Sequence, residues 1–117
     1  MTELKKNIKI KLENNAIYFE KGIFFLEGDL NVANLEIEII NFIENLKLKI
    51  TYYNENQKKL YVDEVQANEK NIIQVPNEVL QVPGKVLIRI SQIKNDSILQ
   101  SKEEIYFYVL KKKTMSC

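Results

Sequence analysis

Five stretches of this chain alternate apolar and polar residues with a period of two, and that pattern constrains the fold more than any other feature. Ile8, Ile10 and Leu12 alternate with Lys9, Lys11 and Glu13, and Leu35, Ile37 and Ile39 alternate with Glu36 and Glu38. Leu46, Leu48, Ile50 and Tyr52 are separated by Lys47, Lys49 and Thr51. Val86, Ile88 and Ile90 flank Leu87 and Arg89, and Ile105, Phe107 and Val109 flank Tyr106 and Tyr108. Successive side chains of a strand point to opposite faces, so each run describes a strand with one face buried and one wet. Weaker runs at Ile23–Leu26, Leu60–Val65 and Ile72–Val75 bring the expected total to seven or eight strands. Turn-forming separators such as Asn54-Glu55-Asn56-Gln57 and Lys94-Asn95-Asp96-Ser97 lie between them.

Clean alternation of this kind belongs to antiparallel sheets, and no helix-length crossover between runs would serve a parallel one. The expected fold class is all-β, a small antiparallel β-sandwich of immunoglobulin-like or jelly-roll-like type. Two segments test that reading. Residues Ile37–Leu48 also fit a helical apolar face, but their β-branched content favours a strand with a bend or turn near Asn41. Residues 76–81 read as one short helical turn, because Pro76 suits a first position that lacks a hydrogen-bonding donor. Pro83-Gly84 then fits the centre of a type II turn.

The 117 residues are one domain's worth of chain, assigned to residues 1–113 with 114–117 as a disordered tail. Seventeen basic and sixteen acidic residues leave a net charge of +1, which argues against a nucleic-acid partner. There is no histidine, and the one cysteine is Cys117. That composition excludes histidine-based general-base chemistry, zinc fingers and disulfide scaffolds. The lysines near the N-terminus are followed by no apolar run, so neither a signal peptide nor a membrane span is expected.

Catalytic constellations are not found. Glu36 and Glu38 would share one sheet face about 7 Å apart, a spacing that would suit acid catalysis but that equally describes a solvated face. Asp29, Asp63 and Asp96 are too dispersed for a calcium loop, and Gly28 is isolated from any phosphate-binding glycine pattern. No catalytic, metal or cofactor site is therefore expected, and no small-molecule substrate. The tyrosines are more informative. Tyr52, Tyr53, Tyr106 and Tyr108, together with Leu110, are the candidate interface residues, since tyrosine combines a large ring with a polar tip and is enriched where proteins meet. The alternative is that these rings lie on lysine stems or in a strand covered on both sides.

The segment Ile73-Gln74-Val75-Pro76-Asn77-Glu78-Val79-Leu80, then Val82-Pro83-Gly84-Lys85-Val86, resembles the N-terminal domain of phage baseplate upper proteins. In that family a strand runs into a proline, a short turn and a restart before the last hairpin. Gly28-Asp29 ahead of the Leu35–Ile39 strand, the Leu46–Tyr53 strand, and Phe107-Tyr108-Val109 in the terminal strand extend the resemblance over residues 28–110. The chain departs from the family at Asn54-Glu55-Asn56-Gln57, where an Asp-Gly or Asn-Gly turn is usual, and in having no long fibre region after Cys117. The resemblance implies a non-enzymatic virion protein of a tailed phage, made in the host cytoplasm. It would act in a baseplate, as a tail fibre attachment or as a capsid decoration module, docking on other virion proteins or on copies of itself. A carbohydrate-binding or host-protein-binding module is the alternative.

Overall fold

The structure, a computed structural model, describes residues 4–112; Lys113 and the expected tail with Cys117 lie outside the described residues. Ten strands and one 3-10 turn follow in order: β1 (Lys6–Glu13), β2 (Ala16–Phe19), β3 (Phe24–Leu26), β4 (Ala33–Ile39), β5 (Lys47–Asn54), β6 (Lys59–Gln66), β7 (Lys70–Gln74), the turn Asn77–Leu80, β8 (Gly84–Lys94), β9 (Ser97–Gln100) and β10 (Ile105–Leu110). They form two sheets in an all-β, sandwich-like arrangement. One has the order β2-β1-β4-β7, the other β3-β10-β8-β5-β6 with β9 paired to the far end of β8.

Every alternating run becomes a strand with its apolar side inward. Ile8, Ile10, Leu12, Leu35, Ile37 and Ile39 of the first sheet face Leu48, Ile50, Tyr52, Val86, Ile88, Ile90, Ile105, Phe107 and Val109 of the second, all buried. The 3-10 turn after Pro76 adds Val79 and Leu80 to this core. The ambiguous stretch after Ile37 resolves as the end of β4 followed by a loop, in which Asn41 and Asn45 take positive φ.

Two pairings differ from a wholly antiparallel sandwich. β1 runs parallel to β4, and β3 runs parallel to β10. Parallel neighbours need a long connection between them, usually a helix. Between β1 and β4 residues 14–32 supply it with strands, β2 staying in the first sheet and β3 crossing to the second, and between β3 and β10 it is supplied by residues 27–104. Two strands carry no alternation and escape notice in the sequence. β2 buries only Ile17, and all four residues of β9 are exposed. Both belong to two-residue hairpin loops, Asn14-Asn15 and Asn95-Asp96, with φ of 54° at Asn14 and at Asn95. Asparagine visits that left-handed region more readily than most residues, so it takes a place often held by glycine. The expected type II turn at Pro83-Gly84 does not form: the chain bends at Gln81-Val82, and Gly84 opens β8 with φ 139°, far from the roughly +80° such a turn requires.

One polar side chain ties the first sheet to its neighbouring loop. Asn71 of β7 is buried, and its amide donates to the carbonyl oxygens of Ile37 (3.1 Å) and Asn68 (2.7 Å), while its oxygen accepts the Asn68 N–H at 2.7 Å. Asn71→Ala leaves those backbone groups unpaired, and it is expected to lower stability by about 2 kcal/mol in urea denaturation.

Candidate docking face

The outer side of the six-stranded sheet is built from the polar half of each alternation, yet it is not polar throughout. In the parallel register of β3 on β10, Phe24 lies beside Tyr108 and Leu26 beside Leu110. These four side chains are 45%, 38%, 43% and 43% exposed, forming a two-by-two apolar patch at the sheet edge. β3 is pinned there by two contacts at its end: the Glu27 N–H donates to the Leu110 carbonyl (2.9 Å), and the Asp29 carboxylate accepts the Leu26 N–H (3.0 Å). Gly28, at φ 87°, turns the chain so that its N–H reaches the Leu80 carbonyl at 3.1 Å.

Beside the patch the surface becomes aromatic and cationic. Tyr106 is half-buried between Phe19, whose ring meets it edge-on at 5.3 Å, and Tyr108 at 5.8 Å. The Lys85 ammonium stands 4.5 Å from the Tyr106 ring centre, and Lys6 stands 4.7 Å from that of Phe24. Arg89 lies 4.6 Å from the Tyr53 ring and pairs with Glu104 at 2.7 Å. The hydrogen bond that Arg89 donates to the Glu104 carboxylate is the main reason that its guanidinium is held above its ordinary range.

Of the residues singled out in the sequence, Tyr108 and Leu110 lie in the exposed patch, and Tyr53 and Tyr106 are half-buried along its flank. Tyr52 is corrected: it is fully buried on the opposite side of β5, aligned with Ile50 and Leu48, so it touches no partner from outside. Phe24 and Leu26 were missing from the candidate set. Ile23-Phe24-Phe25-Leu26 is apolar at every position, so alternation could not say which pair faces out; only the register against β10 does. Glu36 and Glu38 sit on the outer face of the other sheet, where each is paired in register with a lysine of β1. Among the described residues no group of three or more histidine, cysteine or carboxylate side chains could hold a metal ion, and no helix is long and apolar enough to cross a membrane.

No family model matches the chain, and no curated protein matches it either. Among solved structures it is similar to the N-terminal domain of phage TP901-1 ORF48, at 13% identity and a TM-score of 0.45, over 92% of this chain and 98% of that one. At that level of likeness no property is carried from that protein to this one.

Proposed function

We propose that this chain is a non-enzymatic docking module of a tailed phage or phage-like particle, which binds another virion protein through the patch Phe24, Leu26, Tyr108 and Leu110. The observation that carries the docking role is that four large apolar side chains, contiguous in register, stand exposed together at one edge of the six-stranded sheet. Apolar side chains clustered at one sheet edge and rimmed by Lys6, Lys85 and the tyrosines match the make-up of an interface core with a polar rim. The virion setting rests on the pattern of residues 28–110, which resembles the N-terminal domain of baseplate upper proteins.

The test uses particles produced from the genome that encodes the chain. Mass spectrometry of gradient-purified particles is expected to detect the wild-type protein. The variant Leu26→Glu/Leu110→Glu, folded by circular dichroism, is expected to be missing from them. A wild-type protein never found in particles overturns the virion reading, and a variant that still incorporates overturns the assignment of the patch. A reproducible glycan-array hit, or one stoichiometric host protein captured without any virion association, would replace the proposal by a carbohydrate-binding or host-binding role.

A further inference from the structure

The outer face of the four-stranded sheet carries a charge arrangement that is complementary to itself. On β1 the lysines Lys9 and Lys11 form a basic column, and on the adjacent β4 Glu36 and Glu38 form an acidic one. The parallel register sets Lys9 level with Glu36 and Lys11 level with Glu38. The outer strands continue the same row: Tyr18 of β2 is level with Lys11, and Lys70 of β7 is level with Glu38. Ile72, at 68% exposure, and Tyr18, at 57%, stand on β7 and β2 at opposite margins of the sheet. These side chains surround an open depression of about 730 Å³.

We propose that this face binds a second copy of the chain about a two-fold axis running parallel to the strands, above the line between β1 and β4. That rotation keeps strand direction and exchanges left with right. It lays the basic column of one copy on the acidic column of the other, so that Lys9 meets Glu36 and Lys11 meets Glu38 twice over. It also lays Tyr18 over the partner's Lys70, a cation–ring contact, with the partner's Ile72 alongside.

Two observations favour a partner over a purely internal role for these charges. The one ion pair within 4.0 Å among the described residues is Arg89–Glu104, on the other sheet, so none of the Lys–Glu neighbours on this face closes on its own sheet. The two most exposed apolar side chains of this sheet flank the charged columns, where they would be covered by the same rotation. The face is small. Four strands and five residues span about 19 by 17 Å, or roughly 300 Å², against about 800 Å² per partner for a stable dimer. The association is therefore weak, with charge fixing its register more than its strength.

Sedimentation equilibrium from about 10 µM to 1 mM provides the test. The wild-type mass is expected to rise from 13.8 kDa toward twice that value with concentration, and less so in high salt. Lys9→Glu/Lys11→Glu makes both columns acidic, and Glu36→Lys/Glu38→Lys makes both basic; each variant alone should stay monomeric. An equimolar mixture of the two should associate, and so should the single chain carrying all four exchanges, in which the columns have traded places. Circular dichroism and thermal melts confirm that each variant is folded. A wild-type chain that remains monomeric to the highest concentration overturns the proposal, even if the mixture associates. A dimer indifferent to the reversals overturns the assignment of the face. Neither result bears on the docking patch of the other sheet, so the two proposals fail separately.

Discussion

Phe107→Ala is expected to lower the free energy of unfolding by about 3–5 kcal/mol. Phe107 lies in β10, between β8 and β3, with no solvent exposure, and its ring meets Phe25 edge-on at 5.4 Å. Truncation removes the transfer free energy of the ring and leaves a cavity that two hydrogen-bonded neighbouring strands cannot easily collapse. For a domain of this size the loss lowers the melting temperature by about 10–20 °C. The adjacent residue supplies the control. Tyr108→Ala, on the outer side of the same strand, should cost less than about 1 kcal/mol. Urea denaturation of both variants checks the pair, and equal losses would mean that β10 does not separate an inner from an outer face.

Tyr52 supplies the second large effect, one that appears only in alkali. Its side chain is buried in the core and its hydroxyl has no hydrogen-bond partner. Burial, and secondarily the nearby Asp63 carboxylate, push its ionisation well above the ordinary tyrosine value of 10.0. The folded state therefore holds the proton more tightly than the unfolded chain does. That contribution is fully present below pH 10 and falls away as the pH rises beyond it, by up to about 1.4 kcal/mol for each unit until the folded group itself ionises. Tyr52→Phe should remove this alkaline loss. It should also raise stability at pH 7 by about 1 kcal/mol, because an unpaired hydroxyl no longer has to be desolvated. Denaturant midpoints of the two proteins between pH 7 and 11 give the comparison. A Tyr52→Phe protein that is less stable at pH 7 would mean that the hydroxyl has a partner in solution.

The residues show where the sequence was readable and where it was not. The inward placement of Tyr52 follows from the same alternation that carries Leu46, Leu48 and Ile50 inward, yet its residue type drew it into the interface set. Periodicity was the stronger guide, because the direction of a side chain is set by the pleat whereas a preference for interfaces is only a tendency of composition. The outward placement of Tyr108 and Leu110 was legible for the same reason. The placement of Phe24 and Leu26 was not, since a three-residue strand that is apolar at every position has no readable phase. β9 left little trace, because a strand exposed on all its residues is held by backbone hydrogen bonds to β8 and needs no apolar side. The Asn14-Asn15 loop was the one available sign of β2.

Alone, the sequence determined the class of fold, the inner and outer face of each alternating strand, and a core free of histidine and disulfides. Those are local consequences of chain geometry and of residue type. The tertiary structure decided which strands adjoin, and with that the parallel pairings of β1 with β4 and β3 with β10. Both surfaces proposed here arise from those two pairings: one aligns Phe24 and Leu26 with Tyr108 and Leu110, the other sets two lysines level with two glutamates. Pairing between strands distant in the chain depends on the summed burial and hydrogen bonding of the whole domain, and no local pattern encodes it.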